Sequence, residues 1–302
     1  MPEFGSKSAE VEQAVAVVTD SATALPAEIA LHHGLVITPM EITIGEQTFL
    51  DGPSGSIANF YDMMRESKHV PTTNAPTPAQ WLASIKKASL RAKSVLCITL
   101  ASRVSSAHSS ATLAAELALD EFPDTKVQVM DSRAAAGSQA LIAIEAARVA
   151  RQGGNMSAVQ TAVSMVANRV RLVAFIDTLE YIWRSGRVRK IAFLASSLFN
   201  IKPVVEMTSN QINVVSRPRS RKRAKQRLLS EMDRDIRGNK AHIAIMHADA
   251  TDEAHELLET VKNRFDCDEL LLTPFHPFMG AHTGPGLLAT AYWTESPKNI
   301  NQ

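Results

Sequence analysis

Short apolar runs alternate with amphipathic stretches through the first half of the chain. Four runs are rich in Val, Ile and Leu and carry almost no charge, as is typical of strands buried on both faces of a parallel sheet. These runs span 14–19, 35–42, 94–100 and 126–130. Helical patterns lie among and after them, at about 56–67, 78–91, 106–121, 134–152 and 156–168. The alternation predicts βαβ units and a doubly wound sheet.

A second unit is predicted to start near Arg169. Its strand-like segments span 172–176, 202–207, 212–216, 242–246 and 270–273. A polar break at 208–210 predicts a hairpin, and an amphipathic helix is predicted over 252–265. The pattern therefore predicts an α/β fold with two domains. Residues 13–168 form an N-terminal domain with a mostly parallel sheet, residues 169–302 form a C-terminal domain with a mixed sheet, and a ligand lies in the cleft between them.

Composition narrows the class of protein. The chain has 302 residues, of which 45% are apolar, and a net charge of +1. This charge argues against attraction of the whole molecule to nucleic acid or acidic lipid. The two cysteines, Cys97 and Cys267, form no CxxC motif, which predicts two buried, reduced thiols. No apolar run reaches the length of a membrane span and no signal-peptide core is found, so we expect a cytoplasmic protein.

Hydroxyl-bearing turns follow three predicted strands, at Asp20-Ser21, 102–106 and Asp131-Ser132. Ligands of open parallel sheets bind beyond the carboxyl ends of strands. Ser105 is predicted to be the N-cap of the helix that follows, where free backbone N–H groups favour an anion such as a carboxylate. A purely structural helix cap is the alternative interpretation of these serines.

Three other segments offer polar groups. The loop 70–78 predicts a helix entry with Thr77 as N-cap and Pro78 as the first helical residue. Arg184 and Arg187 flank a glycine turn and provide bidentate donors for a carboxylate or phosphate. The segment 280–286 combines three glycines with His282, so that backbone can approach closely and the imidazole can hydrogen-bond an anion.

Motifs of common enzyme classes are absent. The segment 284–289 matches GxGxxA, but it lies too close to the last residue for the acidic ribose partner. No GxSxG nucleophile elbow is present, and the histidines have no metal-ligand spacing. We therefore predict no cofactor, no metal and no catalytic residue.

The order of these polar segments is more informative than any one of them. The chain resembles the DegV family over roughly residues 14–293, through the following motifs: 18–21, 73–78, 102–106, Asp131-Ser132, 177–181, Gly186-Arg187, 201–203 and 282–286. The family is similar to the fatty-acid-binding subunits of bacterial fatty acid kinase. The resemblance implies a lipid-binding protein, itself not an enzyme, that holds a long-chain fatty acid in a buried pocket. The resemblance further implies that it presents the carboxylate to a partner ATP-dependent kinase, which would form the acyl phosphate.

Carried over residue by residue, the resemblance implies a carboxylate site. The hydroxyls of Thr73 and Ser105 would hold the carboxylate beside the Ser106 backbone N–H. Arg187 and His282 would approach from the second domain. The sequence departs from the family pattern at 74–75 and at 106–108, where Asn74 and Ala75 follow Thr73 and where Ser106 replaces a glycine.

Two other functions stay open from the residues alone. One is an acyl-ester hydrolase that uses Ser105 and His282. The other is a regulatory or nucleic-acid-binding role for the basic segment 217–227, which runs from Arg217 to Arg227 with seven Lys or Arg residues. Because this segment lacks interleaved aromatic residues, we predict no nucleic-acid partner and expect docking on an anionic membrane surface or on the kinase instead.

Overall fold

The structure is a computed structural model that describes residues 14–52, 57–67, 69–186 and 201–295. The strands are β1 (Ala16–Asp20), β2 (Val36–Thr38), β3 (Glu41–Ile44), β4 (Gln47–Leu50), β5 (Thr72–Asn74), β6 (Ser94–Thr99), β7 (Lys126–Asp131), β8 (Arg171–Phe175), β9 (Val204–Met207), β10 (Ile212–Ser216), β11 (Ala241–His247), β12 (Cys267–Pro274) and β13 (Leu288–Thr294). The helices are α1 (Ala27–His32), α2 (Ile57–Glu66), α3 (Pro78–Ser89), α4 (Ala107–Glu121), α5 (Ala136–Arg151), α6 (Met156–Arg169), α7 (Glu180–Ser185), α8 (Arg221–Ile236), α9 (Thr251–Arg264) and α10 (Pro277–Thr283).

Two large sheets and one small sheet organise the chain. The first is parallel, in the order β2-β1-β6-β7, and the second is a mixed sheet in the order β10-β9-β8-β13-β11-β12. A small antiparallel sheet, β4-β3-β5, completes the set. The α/β prediction, with a parallel first sheet and a mixed second sheet, is confirmed.

Helices separate and cover the two large sheets. Helices α3 and α4 pack on one face of the parallel sheet, and α5 packs on the other. Helix α5 also contacts β8, β11 and β13 of the mixed sheet, whose far face is covered by α8 and α9. Twelve of the sixteen residues of α5 are buried between the two sheets, and most of them are small, so that both sheets can pack closely on the helix. One such close contact is between the Gly137 backbone nitrogen and Met246 Sδ, which are 3.0 Å apart. The division at 168/169 stays a prediction, because α5 joins both sheets into one apolar core.

One predicted strand is wrong. The run 35–42 divides into β2 and β3, which belong to different sheets. Pro39 lies at the break and has no N–H to continue a ladder, while the Met40 N–H donates to Ser21 Oγ at 3.1 Å instead. The pattern also missed the short strands β4 and β5, and it gave no helix at α10.

No helix in the described part of the chain is long and apolar enough to cross a membrane. The two cysteines are free, as predicted, but only Cys97 is fully buried and Cys267 is half-buried.

Candidate functional site

The carboxyl ends of β1, β6 and β7 meet at one edge of the parallel sheet, as predicted. Asp20 Oδ2 accepts from the Leu100 N–H at 2.7 Å, and Oδ1 accepts from Gln139 Nε2 at 3.0 Å. Asp131 Oδ2 accepts from the Ser102 hydroxyl at 2.6 Å. Burial raises the pKa of Asp20 to about 6, although these hydrogen bonds to its carboxylate oppose the shift. The two aspartates thus hold the beginning of the strand-to-helix connection at 100–106.

Helix α4 begins one residue later than the sequence predicts. Ser106 occupies the N-cap position, but its side chain makes no capping bond. The Ser105 hydroxyl instead accepts from the Ala107 N–H at 3.1 Å. The prediction that Ser105 is the N-cap residue is therefore wrong in position, while its hydroxyl performs the capping that was predicted.

Thr73 and His282 meet across the molecule. Thr73 is the buried middle residue of β5, between exposed neighbours, because alternate side chains of a strand point to opposite faces. Its Oγ1 lies 2.8 Å from His282 Nε2, and the two are joined by a hydrogen bond. Both were predicted to be site residues, and the structure brings them together.

Helix α10, which carries His282, is fixed at its beginning by a buried carboxylate. Asp51 Oδ1 accepts from the Phe278 N–H at 3.1 Å. Burial raises the pKa of Asp51 to about 7. The Phe278 ring then packs edge-on against the His282 ring, with centroids 5.5 Å apart.

Gly280 in α10 and Gly284 just after it allow a close approach, as predicted for this segment, and the groups that approach are two tyrosine side chains. A Cβ on Gly280 would lie 2.6 Å from the Tyr61 hydroxyl oxygen, and that hydroxyl donates to the Phe275 carbonyl at 3.2 Å. Gly284 ends the helix with a φ of +72° while the Tyr181 ring lies directly against it. Only glycine fits at position 284, because its φ is positive and the tyrosine ring leaves no room for a Cβ.

Two adjoining cavities lie beside the Thr73–His282 pair. The outer one has a volume of about 530 Å³ and is lined by Val70, Pro71, Thr72, Thr73, Trp183, Arg184, Ser185 and His282. The inner one, of about 130 Å³, is mostly apolar and is lined by Leu100, Val104, Ala135, Ile182, Ser185, Met207, Ile212, Phe278, Met279, His282 and Thr283. Because Ser185 and His282 line both, polar side chains stand where an open cavity with both polar and apolar walls meets an almost wholly apolar one.

The other predicted site residues are placed differently. Val104, just before Ser105, lines the inner cavity, whereas Ser105 and Ser106 line neither of the two. Helix α4 is nevertheless hydrogen-bonded to the segment that follows β5, because the Ser110 hydroxyl donates to the Pro76 carbonyl at 2.5 Å. Arg187 lies outside the described residues. Contact of these residues with a carboxylate stays a prediction.

Arg103 joins the two parts of the chain beside the inner cavity. Its guanidinium donates to the backbone carbonyls of Thr208 at 2.6 Å and Ser209 at 3.0 Å, in the β9–β10 hairpin. The same side chain also donates to the Arg133 carbonyl at 3.0 Å. That hairpin carries two of the residues that line the inner cavity, so Arg103 holds one wall of it in place.

Sequence reasoning missed Asp51, Tyr61 and Arg103. Asp51 is followed by Gly52 and Pro53, which indicates only a turn, and Tyr61 is one aromatic residue of an amphipathic helix. Their roles come from contacts with residues more than 100 positions away, for which a single sequence contains no signal.

The geometry does not favour the hydrolase. His282 Nε2 is engaged by Thr73, and the Ser105 hydroxyl accepts from backbone. Within the described ranges, no hydrogen bond joins Ser105 to His282, so a nucleophile and its base are not paired.

The basic segment at the beginning of α8 is only partly free. Arg221 pairs with Asp177 and Glu253, and its hydrogen bond to the Gly286 carbonyl spans 2.9 Å. Lys225 and Arg227 also pair with glutamates. The remaining four side chains are exposed and form no ion pair with another described residue: Arg217, Arg219, Lys222 and Arg223.

Comparisons with known proteins agree over nearly the whole chain. A family profile named DegV, described as an uncharacterised protein family, matches residues 14–295. A DegV domain-containing protein of Clostridium acetobutylicum is 28% identical over 288 residues, which cover 93% of this chain and 98% of the relative. Protein DegV of Bacillus subtilis is 25% identical over 282 residues, covering 92% and 98%.

Solved structures share the fold. A DegV family protein from Thermus thermophilus, described with fatty acid binding, superposes with a TM-score of 0.83 at 24% identity and covers 93% of this chain and 99% of its own. A stearic-acid-binding protein from Eubacterium ventriosum gives a TM-score of 0.85 at 23% identity, covering 92% and 98%. These similarities bear out the α/β fold with one parallel and one mixed sheet.

Proposed function

The chain belongs to the DegV family, and we propose that it binds a long-chain fatty acid with the carboxylate at Thr73 and His282. The observation that carries the proposal is the position of this hydrogen-bonded pair at the junction of an open outer cavity, whose walls carry polar groups, and an almost wholly apolar inner cavity. A fatty acid has the same division, with a charged head and an apolar tail. Relatives of the same fold described as binding fatty acids support the assignment.

The tail supplies the binding energy and the head must be satisfied by donors. Burial of about fourteen methylenes is worth up to roughly 11 kcal/mol before ordering costs, at ~0.8 kcal/mol each. A buried carboxylate without partners is very costly, so the Thr73 hydroxyl and His282 are suited to it. Backbone N–H groups at the beginning of α4, beside Ser105 and Ser106, and the Arg187 side chain are further candidate donors.

The inner cavity must enlarge to hold a long tail. Its volume of about 130 Å³ is below the range of roughly 300–1,000 Å³ that is usual for ligand pockets. Met207 and Met279 line it, and methionine side chains are flexible and repack easily around an apolar ligand. We expect the bound tail to displace these two side chains.

Native mass spectrometry of the purified protein tests the proposal. One fatty acid per chain should co-purify, and the lipid-free protein should take up added palmitate or stearate with one-to-one stoichiometry. If the purified protein is lipid-free and binds neither acid, the proposed function is wrong.

We also propose that the bound carboxylate is presented to a separate ATP-dependent kinase. Thr73 and His282 line the open outer cavity, so a head group between them is within reach of a partner protein. The kinase would transfer the γ-phosphoryl group of ATP to a carboxylate oxygen and release ADP. Incubation with ATP and the fatty acid kinase catalytic subunit of the source organism should yield acyl phosphate, trapped with hydroxylamine, only when this protein is present. Its formation at the same rate without this protein would contradict the proposal.

The exposed basic side chains at 217–223 support docking on an anionic surface. We propose that Lys222 and Arg223, with Arg217 and Arg219 beside them, contact acidic lipid headgroups while a fatty acid is exchanged. Each Lys or Arg near such a surface contributes about 1 kcal/mol.

A further inference from the structure

A buried histidine lies at the end of the mixed sheet that is opposite α10. His242 is near the beginning of β11, with only 2% of its side chain exposed, and its ring stacks on Trp293 with centroids 4.2 Å apart and planes 7° apart. Strand β12 pairs in parallel with β11, and helix α10 follows the carboxyl end of β12. At ~3.3 Å per residue, helix α10 begins about 20 Å from His242. The cluster around His242 is therefore separate from the candidate fatty-acid site.

The two ring nitrogens of His242 face carboxylates on both sides. Nε2 lies 3.9 Å from Asp268 Oδ2 and 3.8 Å from Glu295 Oε1. Nδ1 lies 3.4 Å from Glu269 Oε2. Nε2 makes no hydrogen bond with good geometry to another described residue, although a buried polar group left unsatisfied costs about 1–3 kcal/mol.

Glu269 lies behind the ring in the position of an orienting carboxylate. Its Oε2 is also 3.5 Å from Arg148 Nη2, so it is held in place from the other side. Metal-binding histidines commonly donate one ring N–H to such a carboxylate, which turns the lone pair of the other nitrogen toward the ion. With Nδ1 protonated toward Glu269, the Nε2 lone pair of His242 would face the carboxylates of Asp268 and Glu295, an arrangement that a metal ion among them would stabilise.

We propose that His242 Nε2, Asp268 and Glu295 bind a divalent transition-metal ion such as Zn²⁺. Their ligand atoms all lie within 4.8 Å of one another. Bonds of about 2.0–2.2 Å place tetrahedral zinc ligands roughly 3.4 Å apart, so each carboxylate needs to approach Nε2 by about half an ångström, and the two exposed carboxylates need to approach each other by at most about 1.4 Å. An imidazole with two carboxylates suits a transition ion, whereas Mg²⁺ and Ca²⁺ prefer oxygen ligands alone.

The ion would join three strands that are distant in sequence. His242 is on β11, Asp268 is on β12, and Glu295 directly follows β13. Two cations lie nearby: Lys240 Nζ is 3.6 Å from Asp268 Oδ1, and Arg169 donates to the backbone carbonyl of Glu295. Lys240 contacts the other oxygen of Asp268, and Arg169 contacts a backbone oxygen, and neither of these atoms is a ligand of the proposed ion. The two cations therefore do not take the place of the ion.

Competition between metal-free protein and a chromophoric zinc chelator at pH 7.5 tests the site. One Zn²⁺ per chain should bind with micromolar affinity or better and should raise the melting temperature. The double variant D268N/E295Q should bind at least tenfold more weakly and lose the thermal shift. Its changes are at exposed positions, so the fold is kept, whereas substitution of His242 would disturb the stack on Trp293. Asp266, which is exposed and two residues before Asp268, provides the matched control D266N, which should bind like the original protein.

Two results would overturn the proposal. One is zinc affinity that is equal in D268N/E295Q and the unchanged protein, because the ion would then bind elsewhere, for example at a cysteine. The other is a long-range ¹H–¹⁵N spectrum in which both nitrogens of His242 stay protonated when zinc is added, because a proton rather than a metal ion would then neutralise the carboxylates.

Discussion

Thr73 Oγ1 lies 2.8 Å from His282 Nε2, although 209 positions separate the two residues in the chain. Thr73 is in the small sheet β4-β3-β5, and His282 is in the helix that follows the mixed sheet. The proposed carboxylate site is therefore assembled from both ends of the chain, and each half of it can be tested separately.

Replacement of Thr73 by valine keeps the shape of the side chain and removes the hydroxyl. A hydrogen bond to a charged group contributes about 1.5–3 kcal/mol, so T73V should weaken fatty acid binding about 10- to 100-fold. Displacement of a fluorescent fatty acid measures the affinity. Thr43, on the neighbouring strand β3, lines neither cavity, and T43V should bind like the original protein. Equal affinities for T73V and T43V would remove Thr73 from the site.

Arg103 should control how fast the ligand leaves. Its three hydrogen bonds to backbone carbonyls fix the β9–β10 hairpin beside the inner cavity. Loss of about 1–2 kcal/mol from this contact should increase the dissociation rate of a bound fatty acid about 5- to 30-fold in R103A. Stopped-flow release measures this rate, and R91A, at an exposed position with no part in the hairpin, is the control. A dissociation rate unchanged in R103A would show that the hairpin does not limit release.

The close contact between Gly280 and Tyr61 should make G280A destabilising. An added Cβ would lie 2.6 Å from the tyrosine oxygen, and overpacking of this kind costs about 1–3 kcal/mol. Urea unfolding should show this loss, while G52A, where nothing lies within 4 Å of the added Cβ, should be nearly neutral. Because Y61F removes the obstructing oxygen, the double variant G280A/Y61F should be less destabilised than the sum of the two single changes. Additive losses would contradict this explanation.

Asp51 should make stability depend on pH. Its folded-state pKa of about 7 lies above the ordinary value of 3.8, so the folded protein binds more protons than the unfolded chain between these values. Its contribution to the free energy of unfolding therefore falls as the pH rises from about 4 to about 7, by at most about 4 kcal/mol. In D51N, the amide oxygen still accepts from the Phe278 N–H but does not ionise, so the profile should be flatter. Urea unfolding at several pH values measures the difference, and D120N, at an exposed position, should keep the original slope.

The basic segment provides a matched pair of charge reversals. K222E/R223E changes two adjacent exposed side chains on α8, and K86E/K87E does the same on α3. At about 1 kcal/mol per basic residue, the first should reduce co-sedimentation with vesicles that contain anionic lipid at least tenfold, and the second should have little effect. Equal losses would indicate a response to net charge alone rather than a docking surface.

Short stretches of the sequence were enough to predict a parallel sheet followed by a mixed sheet, and the edge at which polar groups gather. Buried parallel strands need continuous apolar runs, and their carboxyl ends must lie together, so Asp20, Ser102 and Asp131 could be placed without coordinates. The order of the polar motifs was enough to indicate the family. These signals are local, because each is a property of a few consecutive residues.

Which polar groups meet could be seen only from the packing of the folded chain. Strand register and packing between sheets bring Thr73 to His282 and Asp51 to the beginning of α10. They also place the His242 ring beside the carboxylates of Asp268 and Glu295. Short strands such as β5 give a weak pattern, and Pro39 interrupts a run that periodicity alone makes continuous. Contacts between distant segments are selected by the free energy of the whole fold, and no window of the sequence contains that information.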